Sequence, residues 1–294
     1  MNKSKRKTKS VKKTIFTIFA VVIAVTLCAT FCACSSAAAI NKLYNGEILQ
    51  ANLSAEFGTV SKLSVDAEFG DVVVKRYDGN TIRVSYYAEE NVVSVQANIA
   101  GDTLGIVQKT LMRTGRVNGG EICIEVPSNH TFSYVDLELN AGSVDVSGIA
   151  SSVELDVEID AGNVEMKNCS GGKLDVSVDA GNIRVQNCTF NTEADVSTDL
   201  GNVSVDALSA NLIKLDLDVG NIVALSLSAS RVQAEVDTGD ITLTVDGEKS
   251  EYSLSGGATV GNCNFTPQTA AGNKSVYAKV SIGNVSVNFL PQIM

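Results

Sequence analysis

An all-β, single-domain β-solenoid with rungs of ~20 residues is the fold this sequence predicts. Three observations predict it. Seven times between residues 140 and 284, a short apolar run leads into an acidic or polar residue, then x-Gly-Asn/Asp/Ser, then Val or Ile. The glycines are Gly142, Gly162, Gly181, Gly201, Gly220, Gly239 and Gly283, with a poorer copy at Gly261, spaced by 20, 19, 20, 19, 19, 22 and 22 residues. Between the turns every second residue is apolar, which is the strand period. No window beyond residue 40 shows the helical period, and Gly or Asn interrupts Val-, Ile- and Thr-rich runs throughout.

The chain is read in five segments. Residues 1–14 are a basic tail carrying Lys3, Lys5, Arg6, Lys7, Lys9, Lys12 and Lys13. Residues 15–34 are uncharged and long enough for a transmembrane or signal helix, since a bilayer takes ~20 apolar residues. The basic flank places the N-terminus in the cytoplasm and the remainder outside. Retention as a single-pass anchor, lipidation at Cys34 as a lipoprotein, and cleavage near Ala37-Ala38-Ala39 to a secreted form are the three fates this segment permits. Residues 35–44 are a linker.

Residues 45–130 read as an irregular β cap. Ser61 to Asp66 alternates, and Glu68-Phe69-Gly70-Asp71-Val72 resembles the later turns, as does Glu56-Phe57-Gly58-Thr59-Val60 twelve residues earlier. Asp78-Gly79-Asn80 is a hairpin signal. Thr81 to Tyr87 and Asn91 to Ala97 are expected strands, 109–120 a polar loop, and Pro127 the end of a ladder. A solenoid end exposes core and unpaired backbone, so a cap is required.

Residues 131–294 are the regular repeats. The inward set of one unit is Val153, Leu155, Val157, Ile159, Val164, Met166 and Cys169; the next gives Leu174, Val176, Val178, Ile183, Val185 and Cys188. Equivalent positions stay apolar from unit to unit, so successive rungs are expected to stack as columns ~4.8 Å apart. The crossover rule for parallel strands makes the winding right-handed.

Val-Asp-Ala-Glu-Phe-Gly-Asp-Val, Gly-Asp-Thr-Leu, Ile-Cys-Ile-Glu-Val-Pro and the serial Asp-Ala-Gly-Asn-Val turns together resemble the bacterial putative-adhesin family over residues ~45–290. That resemblance implies a domain of β-strand repeats, tethered behind a membrane segment and exposed at the cell envelope. It implies no catalytic residue.

Seven of the 23 basic residues and none of the 33 acidic ones lie in the first 40 residues. The remainder is strongly acidic, which opposes nucleic-acid binding. Asp160, Asp179, Asp199, Asp218 and Asp237 precede successive turns, and Asn163, Asn182, Asn202, Asn221, Asp240 and Asn284 follow the glycines. The Asn residues are expected to hydrogen-bond along the stack. Stacked Asp carboxylates repel by roughly 0.9 kcal/mol in water and ~3.5 at an effective dielectric of 20. Turn N–H groups or a row of calcium ions would offset that. The structural ladder is preferred, because the Gly-Gly-x-Gly-x-Asp nonapeptide of calcium β-rolls is absent. No other cofactor is indicated.

Cys169 and Cys188 fall in one core column with Ile149, Leu208 and Leu227. They read as free buried thiols, with a disulfide the alternative. His130 is the one histidine, there is no Trp, and no nucleophile–base set or phosphate loop can be assembled. The functional expectation is a non-enzymatic adhesin-like binding protein or envelope scaffold. Its partner would be a cell-wall, surface or host component or another envelope protein. The runner-up is a sensor of an envelope-stress system acting through a second membrane protein.

Overall fold

The structure is a computed structural model that describes residues 53–87, 93–110 and 120–290. The basic tail, the apolar run at 15–34, the linker, most of the 109–120 loop and Pro291 lie outside the described residues. Among the described residues, no helix is long and apolar enough to cross a membrane.

Among the described residues, seventeen strands join in one sheet system. They are β1 (Leu53–Phe57), β2 (Lys62–Phe69), β3 (Asp71–Tyr77), β4 (Ile82–Tyr87), β5 (Val93–Ala100), β6 (Thr103–Thr110), β7 (Glu121–Pro127), β8 (Phe132–Ser147) and β9 (Ala150–Lys167). Then come β10 (Ser170–Ala180), β11 (Ile183–Leu200), β12 (Val203–Val219), β13 (Ile222–Thr238), β14 (Ile241–Asp246), β15 (Tyr252–Val260), β16 (Lys274–Ile282) and β17 (Val285–Leu290). The described helical structure is one 3₁₀ turn, Lys249–Glu251. The fold is all-β and solenoid-like.

Each rung has two arms meeting at its glycine corner. Before the glycine, parallel pairing runs β6–β2–β8–β9–β10–β11–β12–β13–β16–β15. After it, parallel pairing runs β7–β3–β8–β9–β11–β12–β13–β14–β17. Leu155, Val176 and Leu174 are fully buried, as are Ala194, Val196, Ile213, Val232 and Ala234. In-register pairs such as Val157↔Val176↔Val196 make the expected columns real. Val153 departs from the inward set: it is 45% exposed. The register shifts beside it, between Gly171 and Lys173 of the next rung, and a bulge turns its side chain out.

The segment read as an irregular cap holds one regular rung. β2 and β3 register on β8, with Leu63↔Val135 and Val72↔Val144. Gly70 stacks on Gly142, 72 residues away, whereas the similar Gly58 meets nothing. Outside that rung β6 and β7 still stack in parallel on β2 and β3, and beyond them the chain turns antiparallel: β5 on β6, β4 on β7 and β1 on β4. In the core column Ala67↔Gln108 the glutamine is buried, and its Oε1 accepts the Phe69 N–H at 3.1 Å. A side chain thus satisfies a backbone donor just past the last β2–β6 ladder pair.

The last rungs do not follow chain order. Gly239, Gly261 and Gly283 follow one another in the chain at 22-residue spacings, but Gly283 stacks on Gly239 and Gly261 on Gly283. β16 inserts between β13 and β15. Burial explains the order. β16 offers Val276, Ala278 and Val280 to the core columns, all at 0% exposure, where β15 offers Leu254, Gly256 and Ala258. Placing the poorer set outermost leaves less apolar surface on the terminal rung. The end is then plugged by side chains. Asn264 Oδ1 accepts from Val287 N at 2.9 Å and its Nδ2 donates to Val287 O at 3.2 Å, imitating a strand. Gln268 exchanges backbone bonds with Leu254 and donates to Lys249 O and Tyr252 O.

Candidate binding corner

Two corners bound each rung. At the first, Gly142, Gly162, Gly181, Gly201, Gly220 and Gly239 have φ between 139° and 154°. A Cβ on any of them would lie 1.5–1.8 Å from the carbonyl oxygen of the glycine one rung below. Glycine is required here twice over, by the backbone angle and by the close approach. At the second corner the chain turns through left-handed residues, Asn168, Asn187, Ala207 and Ser226, with φ of 52–55°.

Beside the glycines runs the amide ladder. Asn163 Oδ1 accepts from Asn182 N and Nδ2, both at 3.1 Å. Asn182 Oδ1 accepts likewise from Asn202, and Asn202 Oδ1 from Asn221. Asp240 takes the backbone link to Asn221 and then accepts from Asn284 N at 2.7 Å and Nδ2 at 2.9 Å. Asn284 in turn accepts from Asn262. The aspartate fits because each acceptor oxygen faces the donors of the next rung.

On the other side stands the Asp column. Asp160 and Asp179 are half-buried; Asp199, Asp218 and Asp237 are exposed. Their strand neighbours pair as Ile159↔Val178↔Thr198↔Leu217↔Val236, so the carboxylates lie one per rung. Asp237 accepts from Ser281 Oγ at 3.4 Å. Among the described residues no three His, Cys, Asp or Glu side chains converge to hold a metal ion.

Between these two rows runs a third, which reading the sequence missed. The residue just before each glycine forms an in-register column: Ala141, Ala161, Ala180, Leu200, Val219, Thr238, Ile282 and Val260. Leu200 is 58% exposed, Val219 46%, Ile282 55% and Val260 61%. Five rungs at ~4.8 Å give this larger half a length of roughly 19 Å. The signal was present: Asp-Leu-Gly, Asp-Val-Gly, Ser-Ile-Gly and Thr-Val-Gly place a large apolar residue where a turn favours a polar one. The corner thus presents aligned exposed apolar side chains, with Asp199, Asp218 and Asp237 along part of one flank and the amide ladder along the other.

The remaining reactive groups sit elsewhere. Cys169 and Cys188 are adjacent in one column and 1% exposed; Cys169 N–H donates to Cys188 Sγ at 3.4 Å. A side-chain hydrogen bond with Cys188, and then burial, push the Cys169 thiol up. Both are free, as are Cys123 and Cys263. His130 stacks edge-on against Phe132 at 4.5 Å, and its Nε2 is buried with no hydrogen-bond partner. Burial, and then the nearby Arg76 guanidinium, lower its pKa. Arg76 donates to the carbonyls of Gly148, Pro127 and His130, clamping the first rung to the loop before β8.

The fold and corner define a class: a stacked, parallel β-repeat protein with one amide-laddered edge. The chain belongs to the Toastrack DUF4097 family, which it matches over residues 60–288. It is similar to the crystal structure of a putative adhesin from Bacteroides fragilis NCTC 9343, with 16% identity and a TM-score of 0.51 over 82% of this chain and 97% of the other. A putative adhesin from Parabacteroides distasonis ATCC 8503 is 17% identical, with a TM-score of 0.48 over 83% of this chain and 98% of that one. A putative lipid binding protein from the same strain is 16% identical, with a TM-score of 0.39 over 84% and 98%. No curated protein matches. At these identities the first likeness shows the fold alone.

Proposed function

We propose that this chain is a non-enzymatic, adhesin-like binding protein of the bacterial cell envelope. In this reading the solenoid is a right-handed coil outside the cytoplasm. The apolar run at 15–34 tethers it to the membrane, as an anchor or through a lipid on Cys34, and residues 1–14 stay inside. The partner is a cell-wall, surface or host component, or another envelope protein. The observation that carries the reading is the exposed row Leu200, Val219, Ile282 and Val260, whose first two members stand beside Asp199 and Asp218. A row of this kind is costly to leave in water on a domain that contacts nothing. The acidic surface favours a partner with cationic groups.

The test is co-sedimentation of the detergent-solubilised full chain with isolated bacterial cell walls and with host matrix, with and without calcium. Retention that falls at least tenfold in a Leu200→Ser, Ile282→Ser double variant supports binding through the corner. Retention lost on calcium removal assigns the Asp column a cation. A full chain retained on neither material, or equally retained with both side chains polar, overturns the reading.

A further inference from the structure

The glycine corner accounts for the family's repeat but leaves one chemical feature unused. Of the four described cysteines, two occupy a single core column on consecutive rungs. Ser170 pairs with Thr189 and with Ala150, so Cys169 lies between Ile149 and Cys188; Cys188 in turn pairs with Leu208. Cys123 faces Val73 and Ser85, and Cys263 bridges to Val285, so neither has a thiol neighbour in register. In-register parallel neighbours are ~4.8 Å apart, inside the ~4.4–6.8 Å window in which two Cα atoms can be joined by a disulfide. The contact is already made, since Cys188 Sγ accepts the Cys169 N–H at 3.4 Å.

We infer that Cys169 and Cys188 form a redox-sensitive site. A low-molecular-weight disulfide oxidises the pair to a disulfide that links two rungs.

The chemistry balances as two exchanges. The Cys188 thiolate attacks one sulfur of the small disulfide, forming a mixed disulfide and releasing one small thiolate. The Cys169 thiolate then attacks Cys188 Sγ, closing the protein disulfide and releasing the second. The two thiol protons pass to the two released thiolates, and the oxidant accepts two electrons. Cys188 is the first nucleophile, because its Sγ accepts the Cys169 N–H at 3.4 Å, a bond that favours the thiolate there. Access comes through the second corner. Each cysteine follows an exposed left-handed asparagine, Asn168 or Asn187, and precedes an exposed Ser170 or Thr189. The thiols are therefore one residue beneath the surface at a turn, away from the rung centres.

The consequence follows from the topology. The chain between the two cysteines is one whole turn of the coil: β10, the Gly181 corner and the start of β11. The disulfide closes that turn into a covalent ring, which cannot peel from the stack. Oxidation stiffens the middle of the domain without altering its surface. This inference stands apart from the binding reading, and neither depends on the other.

The test treats the reduced full chain with oxidised glutathione under native conditions, then maps disulfides by non-reducing peptide mass spectrometry. The expected result is loss of two hydrogens and a peptide linking Cys169 to Cys188. Alkylation of both residues is lost, and reductant restores it. The link forms equally in a Cys123→Ala, Cys263→Ala variant. Cys169→Ala accumulates the glutathione adduct on Cys188. Thiols at 169 and 188 that stay fully alkylatable overturn the inference. So does a link that appears only in denaturant, or an adduct that persists on wild-type Cys188 without resolving.

Discussion

Replacing Gly181 by alanine isolates what holds the glycine corner. Gly181 has φ of 153°, and an added Cβ would lie 1.5 Å from Gly162 O. Cβ contacts under 3.0 Å essentially do not occur, so one rung must move by about 1.5 Å. That displacement opens three bonds across the corner: Val164 N to Asn182 O at 2.9 Å, and Asn182 N and Nδ2 to Asn163 Oδ1 at 3.1 Å. At ~1 kcal/mol net for each bond this is about 3 kcal/mol. The unfavourable backbone angle adds about 1–2 kcal/mol. The expected loss is therefore about 4–5 kcal/mol, a large share of the ~5–15 kcal/mol typical of a folded domain. Two other glycines separate the contributions. Gly257 has φ of 130° with nothing within 4 Å of an added Cβ, so Gly257→Ala carries the angle alone, about 1–2 kcal/mol. Gly58 has neither constraint, and Gly58→Ala is expected within about 0.5 kcal/mol of wild type. Urea titration of the full chain by far-ultraviolet circular dichroism ranks the three. Hydrogen exchange at Val164 reports the local break, which matters because stacked repeats open rung by rung. If Gly181→Ala costs no more than Gly257→Ala, close stacking is not what fixes glycine at this corner.

Three further outcomes are expected. Ala207 sits at φ 55° where neighbouring rungs carry Asn168 and Asn187, so Ala207→Asn is expected to raise stability by about 0.5–1 kcal/mol, read as a higher urea midpoint. Asn202→Ala removes its own amide donor to Asn182 and the acceptor used twice by Asn221, with an expected loss of about 1–2 kcal/mol by the same titration. Asn202→Asp keeps the acceptor, as Asp240 does, and is expected to lose less. The pKa of His130 is lowered in the folded chain by burial and by Arg76. The unfolded chain binds the proton near the ordinary 6.5 and the folded chain only at lower pH, so stability falls as pH drops through that window. Midpoints measured across it should fall more steeply for wild type than for His130→Phe; equal slopes would remove His130 from the account.

Much of the fold was legible in the chain. The glycine period, the alternating apolar sets and the Asn row determined a parallel stack, its columns and its amide ladder, because each is a local pattern repeated at a fixed interval. Leu174, Val176 and Val178 must share a face wherever that strand lies, and a period near twenty places them over their counterparts. The candidate corner was half legible. The Asp and Asn rows were read, but Leu200, Val219, Ile282 and Val260 passed as turn residues. Their exposure becomes visible only once the rungs are in register.

Order along the stack was decided by tertiary structure. Nothing local says that Gly70 joins Gly142 across 72 residues, or that β16 slips between β13 and β15. Every rung offers nearly the same columns, so local pattern cannot distinguish one neighbour from another. The choice falls to the ends. There Gln108, Gly256 and Asn264 trade apolar surface for satisfied backbone, and the arrangement leaving the least core and fewest open hydrogen bonds in water prevails.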